Sequence, residues 1–180
     1  YLQGTVDVKE FFALENIGKN LAVTLGARYD NYDDIGSTVN PRAGIVYGVS
    51  EKLYFKMLYG EAFRAPSFLD LHTKDNGAVE GNPDLDSEKI TTLEGMAGYN
   101  FTENVRTTLT VYNNRATDII KGVSTPQGGQ HFDNVGSIDA TGIEFELRAA
   151  FDKNRYGYLN FTFLNSENTT GETVTWMDPV

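Results

Sequence analysis

The residues equipped for chemistry are few, and they sit outside the regularly patterned parts of the chain. His72 and His131 fall in two separate loop-like stretches. A neutral imidazole is a good iron ligand, yet a single loop histidine is ordinarily a solvated side chain. Aspartates gather at Asp30, Asp33 and Asp34 in "YDNYDD" and again at Asp84 and Asp86. Carboxylates at that density offer the oxygen ligands that Ca²⁺ takes, which makes calcium a candidate ion, against the plainer expectation of solvated loops. There is no cysteine, so thiolate metal ligands, disulfides and a cysteine nucleophile are excluded. No nucleophile, base and orienting group stand at a catalytic spacing, and no enzyme activity is expected. With 25 acidic against 15 basic residues, a net charge of −10, a nucleic-acid partner is not expected either.

The elements that must position these residues are strands. Apolar residues recur with period two, and a helical period does not persist over any useful length. In "NLAVTLGARYD", Leu21, Val23, Leu25, Ala27 and Tyr29 share one face; in "TGIEFELRAAF", Ile143, Phe145, Leu147, Ala149 and Phe151 oppose Glu144, Glu146 and Arg148. About eight such segments are predicted, near 5–14, 20–31, 39–49, 52–64, 88–101, 104–118, 137–151 and 155–166. Most run ten residues or more, whereas soluble strands average roughly five or six and a strand tilted across a bilayer needs about nine to eleven. No apolar run approaches the roughly 18 residues of a membrane-spanning helix, so a membrane role must come through strands.

The connections alternate in length. "ENIGKN", "VSEK", "FTEN" and "FDKNR" read as short turns, and "NYDDIGST", "APSFLDLHTKDNGAVEGNPDLDS", "KGVSTPQGGQHFDNVG" and "NSENTTGETV" as long loops. That asymmetry is expected of an outer-membrane barrel, as are aromatics at segment ends such as Tyr47, Tyr54, Tyr99, Phe101, Tyr29, Tyr59 and Phe63. The fold class predicted is therefore all-β: an antiparallel up-and-down transmembrane barrel wall with its apolar side toward lipid. In "LYFKMLYGEAFRAP", Leu53, Phe55, Met57, Tyr59 and Phe63 would face lipid, and Lys56, Gly60, Ala62 and Arg64 the lumen. Pro66 cannot donate to a ladder, so pairing should end near it, followed by about twenty residues without regular structure. Glu10 does not fit, because its parity puts a carboxylate on the apolar face, where it is costly at mid-membrane.

Phe63, Arg64, Ala65 and Pro66 ("FRAP"), then Asn82, Pro83, Asp84 and Leu85 in "GNPDL", then Glu88 in "DSEKITTLEGMAGYNF" resemble the FRAP and NPNL boxes of TonB-dependent outer-membrane receptors. The stretches "YDNYDDIGSTVNPRAGIVYGVSEKLYFKMLYGEAFRAPS" and "NVGSIDATGIEFELRAAF" resemble the neighbouring barrel strands. The resemblance covers nearly the whole chain and implies about eight strands of a barrel of roughly 22, with the plug and remaining strands outside residues 1–180. It implies a ligand-gated importer in the bacterial outer membrane that takes up a siderophore, haem or cobalamin. The TonB complex, the lipid bilayer with its lipopolysaccharide and a small-molecule ligand would be its partners. Arg64, His72, Asn82 and Asp84 become ligand or loop candidates. His72 lies between the two boxes, where haem receptors carry an iron-ligating histidine; Asp84 departs from the family pattern by replacing an asparagine.

Two other architectures suit parts of the pattern. A self-contained eight-stranded barrel matches length and strand count, and a soluble secreted β-sandwich would turn the same apolar faces inward. Both ends, in strand-like sequence at Tyr1 and in a loop-like stretch at Val180, suggest a piece of a longer chain.

Overall fold

The computed structural model describes residues 14–15, 20–33, 35–74, 78–126, 128–152, 155–168 and 173–178. Twelve strands and one short helix occur among them: β1 (Leu14–Glu15), β2 (Leu21–Tyr32), β3 (Gly36–Gly48), β4 (Leu53–Arg64), α1 (Phe68–His72), β5 (Val79–Glu80), β6 (Glu88–Thr102), β7 (Val105–Thr117), β8 (Ile120–Thr125), β9 (Gly129–Asn134), β10 (Ser137–Asp152), β11 (Arg155–Asn168) and β12 (Thr173–Asp178). Nine strands form one antiparallel meander in the order β1-β2-β3-β4-β6-β7-β10-β11-β12, and β5, β9 and β8 form a separate three-stranded sheet. Seven of the meander strands match predicted segments closely. The predicted segment 5–14, with Glu10, lies almost entirely outside the described residues.

The long strands carry the alternation across the sheet in register. Val23 pairs with Ile45, Ile45 with Met57, Met57 with Gly95, Gly95 with Val111, Val111 with Ile143 and Ile143 with Phe163. One pleat further, Leu21, Tyr47, Phe55, Ala97, Leu109, Phe145 and Phe161 make a second row. Most of this face is bare: Leu25 is 46% exposed and Phe145 36%. Among the described residues the only buried hydrophobic side chains are Leu71 and Leu85, both outside the meander strands. With two continuous apolar rows and, among the described residues, no second layer over them, the sheet does not fit half of a sandwich in water; it fits a wall facing hydrocarbon. The other face carries Glu94, Thr110, Glu144, Glu146 and Arg148 beside glycines, and Tyr54 and Tyr112 lay their rings over their cross-strand neighbours Gly98 and Gly142. No described helix is long and apolar enough to cross a membrane.

Three expectations change. The stretch "NYDDIGST" is not a long loop, because β2 and β3 stay paired as far as Tyr32 and Gly36. The stretch from Lys121 to Gly136 is a hairpin of β8 and β9 rather than a loop. Residues 173–178, read as part of a terminal loop region, pair with β11 as β12.

Phe63 also departs from its row. Pairing between β3 and β4 stops at Arg42 and Gly60, next to Pro41, which has no N–H to give, while β2–β3 and β4–β6 pairing both continue. The sheet forks there. Across the fork the Phe63 ring lies 5.6 Å from the Arg28 guanidinium and edge-on to Tyr32 at 5.9 Å, both on the polar-face parity. Phe63 thus packs within the protein instead of facing lipid, since an aromatic face over a guanidinium is a favourable contact.

Candidate functional site

Beyond Arg64 the chain leaves the ladder as predicted, but it does not stay irregular. Ser67 caps α1: its hydroxyl accepts from the Asp70 N–H at 3.2 Å while the Asp70 carboxylate accepts from the Ser67 N–H at 2.8 Å. This reciprocal box starts a helix of only five residues. The chain then returns along the helix end. The Gly81 N–H donates to the Thr73 carbonyl at 2.8 Å and the Asn82 N–H to the Asp70 carbonyl at 2.8 Å. Only glycine permits this approach, because a Cβ at Gly81 would fall 2.6 Å from the Thr73 nitrogen. Asn82 then folds the motif on itself, its Oδ1 accepting from the Asp84 N–H at 2.9 Å. Leu71 of α1 and Leu85 of "GNPDL" are each 5% exposed, so both side chains are withdrawn from solvent.

Arg64 and Glu88 join the strands at its base. The guanidinium donates twice, Nε to Oε2 at 2.5 Å and Nη2 to Oε1 at 2.6 Å, and Glu88 Oε1 also accepts from the Ile120 N–H at 2.8 Å. One carboxylate therefore ties the end of β4, the start of β6 and the start of β8. A second tie lies at Asn134: its Oδ1 accepts from the Asp86 N–H at 2.8 Å, and its Nδ2 donates to the Asp86 carbonyl at 2.9 Å and the Asp118 carbonyl at 2.7 Å. Asp118 turns the chain at φ 57, a left-handed conformation that aspartate tolerates better than most residues. Parallel pairing of Val79 with Gln130 and Glu80 with His131 completes the link. The described residues 65–74, 78–87, 118–126 and 128–136 are thus one hydrogen-bonded body standing on β4, β6 and β7.

The family-motif residues divide by role. Arg64, Asn82, Leu85 and Glu88 converge on this body, and Pro66 is buried beneath it; Ala65 is half-buried, and Pro83 and Asp84 are exposed. His72 is exposed at the end of α1 with its ring 4.9 Å from that of Phe68, and His131 sits on β9 with Nε2 3.8 Å from Asp133 Oδ2. Asp30 belongs elsewhere, buried at the fork and bound by Arg28 Nε at 2.7 Å. Asp33 is exposed in the β2–β3 turn, and Asp34 lies outside the described residues. Among the described residues no group of three or more His, Asp or Glu side chains is arranged to hold a metal ion. Asn134 and Asp118, which close the junction, were not singled out by sequence. "DNVG" carries only a turn signal, and the value of Asn134 lies in backbone groups 16 and 48 positions away.

Comparison with protein families decides the class. The TonB dependent receptor-like β-barrel family model matches residues 1–178. The chain belongs to that family. Solved structures share its fold: the siderophore receptor PirA from Pseudomonas aeruginosa superposes with a TM-score of 0.71 at 20% identity, covering 85% of this chain and 32% of that one. The ferric enterobactin receptor PfeA from Pseudomonas aeruginosa in complex with BCV-L6 gives 0.70 at 16% identity, covering 85% and 28%. The FrpB iron transporter from Neisseria meningitidis gives 0.60 at 18%, covering 90% and 24%. The chain thus spans about a third or less of the length of these receptors. No curated protein matches it. As a TonB-dependent receptor barrel segment it is a wall and not a closed barrel: among the described residues no pairing joins β12 to β1, so the self-contained eight-stranded alternative is set aside.

Proposed function

We propose that this chain is barrel wall of a receptor in the bacterial outer membrane that imports a ferric siderophore with energy delivered through the TonB complex. The observation that carries the reading is the family match over residues 1–178, on a sheet whose apolar rows face outward. The choice of a siderophore over haem or cobalamin follows the receptors of like fold, which are named for siderophores, enterobactin and iron. The body carrying α1 and the β8–β9 hairpin serves as the loop platform over which ligand passes. Arg64 and Glu88 act in it as positioning residues, because their charged atoms are directed at each other and at the Ile120 N–H.

The test is uptake of iron-55 from a panel of ferric siderophores and from hemin, and of cobalt-57 from cobalamin, by cells lacking the receptor and by the same cells carrying it, with and without TonB. The reading expects uptake of one siderophore class to depend on both receptor and TonB. Uptake of every compound unaffected by the receptor, or of hemin alone, would overturn it.

A further inference from the structure

The body that stands on the long-loop ends of β4, β6 and β7 is negatively charged. Its described residues carry six carboxylates, Asp70, Glu80, Asp84, Asp86, Asp118 and Asp133, against two lysines, Lys74 and Lys121. Protonating His72 and His131 as well would still leave the acids in excess. Lys121 moreover faces Asp133 across the β8–β9 hairpin. The outer end of the β2–β3 hairpin has the same sign, with Asp30 and Asp33 against Arg28. On the outward face of the strands beneath, Glu61, Asp139 and Glu167 outnumber Lys89 and Arg115.

The arginines of this region are engaged within the protein. Arg64 gives two donors to Glu88, Arg28 Nε lies 2.7 Å from Asp30 Oδ2, and Arg115 Nε comes to 4.0 Å of Asp139 Oδ2. A guanidinium beside a carboxylate has its charge compensated, so none of the three offers an anion the full attraction of a lone cation. What α1 does present to solvent is apolar: Phe68 is 71% exposed and Leu69 67%. An anionic cargo is repelled by such a surface, whereas a neutral or cationic one approaches freely and can lay hydrocarbon on Phe68 and Leu69.

The charge of a ferric siderophore is set by its donor groups. Three dianionic catecholates leave the complex trianionic; three monoanionic hydroxamates neutralise Fe³⁺, and a pendant amine then makes the complex a cation. We propose that the cargo is a ferric hydroxamate, neutral or bearing an ammonium group, whose aliphatic chains pass over Phe68 and Leu69 while the surrounding carboxylates turn anionic chelates away. The inference rests on the siderophore reading and narrows it to one donor chemistry.

It is tested on the full receptor with ferrichrome, a neutral hydroxamate, ferrioxamine B, a cationic one, and ferric enterobactin, a trianionic catecholate. Binding to the purified receptor is read from quenching of its intrinsic fluorescence, and uptake by cells from iron-55. The wild type should bind at least one hydroxamate roughly tenfold or more tighter than ferric enterobactin. The double variant Glu80→Lys with Asp84→Lys, both exposed positions, should shift that preference roughly tenfold toward ferric enterobactin, since surface fields of this kind change encounter by about tenfold or more. Phe68→Ser with Leu69→Ser should weaken hydroxamate binding several-fold. Heat-modifiable migration on gels shows separately that each variant is a folded barrel. Three results in folded receptors would overturn the inference: tighter binding of ferric enterobactin by the wild type, a preference unmoved by the charge reversal, or hydroxamate binding unchanged by the α1 substitutions. TonB-dependent uptake of ferric enterobactin alone would overturn it and leave the transport reading standing, whereas uptake of no ferric siderophore would overturn both.

Discussion

Arg64 and Glu88 face each other across β4 and β6 in a two-point ion pair, and the same carboxylate reaches past the pair to the Ile120 N–H. A motif residue of one segment thereby holds the first residue of the next hairpin. Planar, two-point recognition is what distinguishes arginine from lysine, so Arg64→Lys should keep the charge and lose the geometry. The pair is partly exposed, with side-chain exposures of 56% and 19%, so the coupling is expected to be modest, about 1 kcal/mol. Limited proteolysis between residues 118 and 136 checks it: cleavage in Arg64→Lys should be several-fold faster than in wild type.

Asn134 should matter more. Its amide satisfies one N–H and two carbonyls, and Asn134→Ala leaves all three without their partner, at a cost of about 1–3 kcal/mol. Amide exchange in 79–86 and in 120–134 should accelerate together, by roughly tenfold to a hundredfold. Acceleration in only one of the two segments would mean that they do not form a single body.

Gly81→Ala tests the docking of the "GNPDL" segment on α1. The added methyl carbon would sit 2.6 Å from the Thr73 nitrogen, and the obstacle is backbone, which cannot swing aside. Trypsin should then cut after the exposed Lys74 markedly faster than in the wild type.

His72→Ala separates packing from ligation. His72 packs its ring on Phe68, so hemin titration of the receptor and this variant should give identical Soret changes. A Soret shift present only in the wild type would restore the haem reading.

How far the fold could be read from sequence depended on whether a residue's role was local. Strands such as β7 and β10 show in the chain because alternation is imposed on every residue by the two environments they separate. The placement of Arg64 at a strand end before Pro66 was legible for the same reason, together with the missing N–H of proline. Phe63 was misplaced because parity assumes an unbroken sheet, and the fork next to Pro41 lets its ring reach Arg28 and Tyr32. The helix α1 was missed although Ser67 and Asp70 form a capping box, because five residues give no helical period to detect. The β8–β9 hairpin was hidden by its glycine-rich turn composition. Asn134 carried only a turn signal, since its partners are main-chain groups of distant residues, which any residue type could supply.

The account depends most on which side of the long strands meets hydrocarbon. Nitroxide labels introduced one at a time at 109, 110, 111, 143, 144 and 145 of the full receptor in vesicles would report this by collision with oxygen, which concentrates in the bilayer. The structure predicts high oxygen accessibility at 109, 111, 143 and 145 and low accessibility at 110 and 144. High accessibility at 110 and 144 with low values at their neighbours would contradict it.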